Sequence, residues 1–127
     1  MSIAVTGEGI ICAIGADKAS VLASLRRKQT GIATMRYLPS EHHELPVGEV
    51  KLSDDEMKSL LGIDLSLEVS RTALMGMLAV SQALEDSGCL SAEDGHLSPL
   101  RIVLISGTTV AGMDVTERHF TDLRTSD

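Results

Sequence analysis

Aromatic side chains are almost missing from this sequence, which holds no Trp, one Tyr (Tyr37) and one Phe (Phe120). Nucleobases would find no stacking platform, and the core must be aliphatic. Basic residues are outnumbered as well: 11 Lys and Arg face 18 Asp and Glu, and a net charge of -7 repels phosphate backbones. No nucleic-acid partner is expected. Cysteine is scarce, with Cys12 and Cys89 far apart, whereas a small secreted domain normally carries several paired cysteines. The expectation is a reducing, cytoplasmic setting. Long hydrophobic runs are missing too. The longest apolar-plus-glycine stretch, Ala73 to Val80, is eight residues, against the roughly 20 that span a bilayer. The opening Met1-Ser2-Ile3-Ala4-Val5 has no basic n-region followed by an apolar h-region, so no signal peptide and no membrane are expected. Three prolines and eleven glycines are too few for a linker, and 43% apolar residues over 127 positions suit one globular core.

What is present reads as alternating elements. Ile3-Ala4-Val5-Thr6 is a short β-compatible run that meets Gly7-Glu8-Gly9 and resumes as Ile10-Ile11-Cys12-Ala13-Ile14 before Gly15, predicting strand, tight turn and buried loop. Asp17 predicts the cap of a helix over residues 18–28, with Val21, Leu22 and Leu25 as its apolar stripe and Thr30-Gly31 as its end. Between Ile32 and Leu67 the pattern weakens into a surface excursion. It is punctuated by Pro39 and Pro46, with a short strand at 47–50 and a polar helix at 54–61. The segment 70–87 leaves almost no polar face in its first half, so this helix should be covered on more than one side. Its Ala residues and Gly76 admit a neighbouring backbone, and Gly88 supplies its stop. Arg101-Ile102-Val103-Leu104-Ile105 predicts a strand buried on both faces of a parallel sheet, ended by Ser106-Gly107. Asp114 predicts the cap of a last helix that contains Val115, Phe120 and Leu123. The order is α/β, and the central helix demands more cover than three short strands supply. The chain is therefore expected to be the first part of a longer protein.

Residue chemistry by itself yields no active site. Gly7-Glu8-Gly9 suggests dinucleotide binding, but the third glycine of that fingerprint would fall on Cys12, and the following helix starts too late to aim at a pyrophosphate. Gly107 to Gly112 has the glycine spacing of a phosphate loop without its Lys-Ser/Thr. Glu41-His42-His43-Glu44 concentrates four potential ligands on divergent positions of a polar loop, and a solvated loop is the simpler reading. His96 and His119 have no partner at metal-ligand spacing. Cys12 lies in an apolar run and Cys89 just past a helix C-terminus, where the dipole opposes a thiolate, so both read as bystander thiols.

Four stretches together resemble the N-terminal segment of the β-ketoacyl-acyl-carrier-protein synthases, condensing enzymes of the thiolase fold. Ile3 to Gly15 is similar to the family's opening strand and V-T-G-x-G turn, and Leu25 to Ile32 to the L-x-x-G-x-S-G-I that follows. Ala83-Leu84-Glu85-Asp86-Ser87-Gly88-Cys89-Leu90 resembles its A-L-x-D-A-G-L helix end, and Arg101 to Met113 its R-I-G-x-x-x-G-S-G-x-G-G-x. The order and spacing hold across nearly the whole chain.

The resemblance implies the N-terminal part of a layered αβαβα fold, incomplete in residues 1–127. It further implies decarboxylative condensation of an acyl thioester with malonyl-acyl-carrier-protein in fatty acid or polyketide synthesis. The implied partners are acyl carrier protein and acyl and malonyl thioesters, and the intact protein would be a homodimer. In the family the nucleophilic Cys, its two His (or His and Asn) and the supporting Lys come from later segments. No catalytic, cofactor or metal residue is therefore carried over, and this chain alone should be inactive. The position that carries over is Val110, matching an apolar residue that lines or gates the acyl pocket. Thr109 and Ala111 stand where the family usually has Gly, so the pocket wall is expected to be stiffer and narrower. Val110 packing only beneath further segments is the alternative. A non-condensing partner subunit of the chain-length-factor kind, and a free-standing α/β interaction module, also fit these residues.

Overall fold

Local hydrogen-bond chemistry sets most of the helix ends. The computed structural model describes residues 2–38, 40–89 and 103–125, apart from the side chains of Thr121 and Leu123. Helix α1 (Lys18–Arg26) starts where Asp17 accepts from the Ser20 N–H at 2.7 Å and the Ser20 hydroxyl accepts in return from the Asp17 N–H. Helix α2 (Asp54–Leu61) has the same reciprocal cap from Ser53 and Glu56, and Ser70 caps α3 (Arg71–Asp86) through the Ala73 N–H. Past α3, Gly88 takes φ +68, the left-handed conformation expected of its stop. The polar helix at 54–61 and the long apolar helix are thus where the residue pattern puts them.

The strands are shorter than the pattern suggests. Two two-residue strands, β1 (Ala33–Thr34) and β2 (Pro46–Val47), pair antiparallel with Ala33 opposite Val47. The strand expected at 47–50 is therefore shifted and brief. Residues 3–6 are not in a strand: Ile3 and Val5 are 93% and 81% exposed. Val103 to Ile105 are likewise outside any strand and exposed, while Arg101 and Ile102 lie outside the described residues, as does Pro39. A strand exists only where a second backbone meets its N–H and C=O groups, and among the described residues no segment does so here. The chain is mixed α and β in general terms, with no parallel sheet among the described residues.

The core lies between α2 and α3. Met57, Leu74 and Leu78 are buried, and Ile11, Leu52, Leu61, Ile63, Val69 and Met75 pack around them. The long helix is covered on a second side by the N-terminal segment. A Cβ on Gly9 would collide with the Ala79 carbonyl, and one on Gly7 with the Ala83 carbonyl. The backbone of residues 7–9 rests directly on α3, at the alanines expected to admit it. At Gly76 no neighbour approaches within 4 Å of a Cβ. Two further details depart from the residue pattern. Helix α1 ends at Arg26, ahead of Thr30-Gly31, with Lys28 at φ +54, and its Leu22 and Leu25 remain largely exposed. Helix α4 (Met113–Thr125) begins one residue before Asp114.

Candidate functional site

The start of α3 is the meeting point of four segments. Arg71, Thr72 and Met75 form one wall of a cleft of about 280 Å³, Leu38 and the 48–50 backbone form a second, and Val110, Met113 and Asp114 form the third. Leu38, Met75, Val110 and Met113 give it apolar lining, while Arg71, Glu49 and Asp114 supply charge. A second cleft of about 350 Å³ shares Leu38, Arg71 and Asp114 and adds Tyr37, Glu117 and Arg118.

Its charges are committed to structure. Arg71 is 7% exposed; its Nη1 donates to Asp54 Oδ1 at 2.7 Å and its Nη2 to the Val50 carbonyl at 2.8 Å. A buried guanidinium is tolerated only with such partners. The Arg71 backbone N–H donates to Asp114 Oδ2 at 3.0 Å, so Asp114 caps α3 from 43 positions away rather than its own helix. Buried Glu49 accepts from three consecutive backbone N–H groups, of Arg36, Tyr37 and Leu38, at 2.7–2.8 Å. Burial pushes its carboxyl pKa upward, but those three donors and the Arg71 charge outweigh it and hold the pKa below the ordinary value.

The other end of α3 holds the N-terminal segment. Gln82 accepts from the Ile10 N–H at 3.1 Å and donates to the Ala16 carbonyl at 2.7 Å, and Asp86 accepts from the Glu8 N–H at 3.0 Å. Lys18 closes on both Asp86 oxygens at 2.7 and 2.8 Å. That ammonium, joined by the Glu8 N–H, holds the Asp86 carboxyl below its usual range, and Asp86 raises Lys18 in return. The Gly7-Glu8-Gly9 motif therefore serves helix packing.

Of the residues singled out from the sequence, Val110 lines the first cleft and is 66% exposed, whereas Thr109 is exposed and outside its lining. Cys12 sits in a tight turn, exchanging backbone hydrogen bonds with Gly15, beside a small cavity of about 150 Å³. Cys12 and Cys89 are both free thiols. The His42 ring meets Glu44 at 3.3 Å and the His119 ring meets Glu68 at 2.9 Å; His96 lies outside the described residues. Among the described residues no group of three or more His, Cys, Asp and Glu is placed to hold a metal ion, and no helix is long and apolar enough to cross a membrane.

Sequence reasoning missed Arg71, Glu49 and Asp114 as the organisers of this region. A signal existed: Arg71 is the one cation of α3 and heads its apolar first half, and Glu49 interrupts the apolar run from Val47 to Val50. The cleft lining contains no Cys, His or Ser, and both its carboxylates are engaged by backbone N–H groups. Such a surface can hold and orient an apolar group. No protein-family model, curated protein or solved structure matches the chain.

Proposed function

We propose that this chain is the N-terminal portion of a β-ketoacyl-acyl-carrier-protein synthase, supplying one wall of an acyl pocket while other segments supply the nucleophile. The observation that supports this reading is the position of Val110. It comes from the segment that carries the family's glycine-rich pattern, and it lines an apolar-sided cleft with Leu38, Met75 and Met113. The close packing of residues 7–9 on α3 is consistent with a helix layer enclosed on two sides, as the layered αβαβα architecture requires. In the intact protein an acyl group passes from its carrier thioester to a Cys thiolate. Loss of CO2 from the malonyl thioester then generates the carbanion that attacks the acyl carbonyl and releases the thiolate. Acyl carrier protein is the partner, and the assembly is a cytoplasmic homodimer.

The test is to read the coding DNA past the codon for Asp127 and to assay the encoded protein for ketoacyl product. The expected result is a frame that adds a Cys and two His, or His and Asn, condensing activity in the full product, and none in residues 1–127 alone. Val110→Trp should then shorten the longest acyl chain accepted. A frame carrying another residue in place of the Cys assigns a non-condensing partner subunit. A frame ending at Asp127 overturns the enzyme reading in favour of an interaction module.

A further inference from the structure

We propose that α4 is a hinged arm, latched to the start of α3 by charge, and that its release opens the cleft beside Val110. This inference does not depend on the condensing-enzyme reading.

The hinge is Gly112, at φ +74, where an added Cβ would meet no atom within 4 Å. Val110 and Met113 stand on either side of it, and both line the cleft together with Leu38 and Met75. A rotation at residue 112 therefore carries Met113 and Asp114 out of the cleft lining and leaves Leu38, Met75 and Val110 in place.

Two points of the latch are described. Asp114 Oδ2 accepts from the Arg71 N–H at 3.0 Å, at the positive end of the α3 dipole. One turn further on, Glu68 receives His119 Nε2 at 2.9 Å and Arg118 Nη1 at 3.7 Å. Arg118 also reaches back to Asp114 at 3.3 Å, so both points share one network. No described α4 side chain joins the apolar cluster of α2 and α3, and Met113 and Phe120 are each 53% exposed. Phe120 lies beneath Arg124 of the same helix, a contact that travels with the arm. The hydrogen bonds and ion pairs of Asp114, Arg118 and His119 to the body are partly exposed, the kind that salt screens and thermal motion breaks first. On the body side, Arg71 keeps Asp54 and the Val50 carbonyl when the arm leaves, so opening strands no buried guanidinium.

Amide hydrogen exchange on the whole chain tests this. Asp114→Ala should speed exchange of the Arg71 amide and the α4 amides by at least about tenfold while Met57, Leu74 and Leu78 keep their protection. Alkylation of a Met75→Cys variant should quicken several-fold in the same background. Asp114→Asn retains an acceptor oxygen and should preserve most of the protection. Glu68→Gln should loosen α4 and spare the Arg71 amide. If Asp114→Ala does not fold, added salt on the parent protein decides: α4 must loosen ahead of the α2–α3 core. Unchanged α4 exchange in Asp114→Ala, or loosening of α4 and core together, overturns the proposal.

Discussion

A methyl group at Gly9 would sit inside the Ala79 carbonyl of α3, whereas a methyl group at Gly76, on the same helix, would meet open space. Gly9→Ala should cost roughly 1–3 kcal/mol or more by forcing two backbones apart, and Gly76→Ala should gain about 0.5–1 kcal/mol from restored helix propensity. Urea unfolding midpoints check both signs, and a neutral Gly9→Ala would contradict the close contact. Glu49 is the second residue with a measurable signature. Its pKa when folded lies below the ordinary 4.5, so its stabilisation is complete above that pH and is lost as the pH falls toward the folded value. Asp17, Glu56, Asp64 and Asp86 are also held low, by local hydrogen bonds, and for Asp86 first by Lys18, so the parent protein should weaken on acidification in any case. Glu49→Gln should flatten that acid limb without abolishing it. Parallel thermal-midpoint curves for the two proteins from neutral pH to acid would rule the contribution out.

At the scale of elements, the starts of α1, α2 and α3 were readable and strands were not. Asp17, Ser53 and Ser70 are caps whose partners lie three residues away, so the information is local. The runs at 3–6 and 103–105 have the β-branched character of strands, yet pairing needs a distant neighbour that composition does not specify. The helices are joined by Arg71, which links α3 to Asp54 of α2 and to the Val50 carbonyl. Because Asp54 is partly reachable by water, Arg71→Ala should cost about 2–3 kcal/mol, less than the loss typical of a fully buried pair. Arg71→Met keeps the packing of the side-chain stem and should cost less. Denaturant titration of the two variants separates charge from packing, and equal losses would assign the whole effect to charge. Both variants should also raise the Glu49 pKa, since Arg71 helps to hold it down.

For the whole molecule, the described apolar surface is more than the small core consumes. Ile3, Val5, Val103, Leu104 and Ile105 are each more than two thirds exposed. Such side chains drive association when no neighbour covers them. Sedimentation velocity should show concentration-dependent species heavier than the 13.5 kDa monomer, and Ile3→Lys with Ile105→Lys should shift the population back toward it. A parent protein that stays monomeric at all concentrations would show these side chains to be harmless to solubility.

Asp114 illustrates how far the sequence reaches. Its identity as a helix-capping residue was legible, because a short carboxylate at a helix start has few other uses. Which helix it caps was not, since the N–H it meets belongs to Arg71, 43 positions away. The same division holds elsewhere. The sequence by itself determined the starts of α1, α2 and α3 and the aliphatic core, because these depend on neighbours within one turn or on composition. Only the tertiary structure decided that Gly7 and Gly9 serve helix packing, that Glu49 stabilises a loop, and that Val110 lines a cleft with Leu38 and Met75. Those outcomes depend on which distant backbones meet, and no local pattern encodes that.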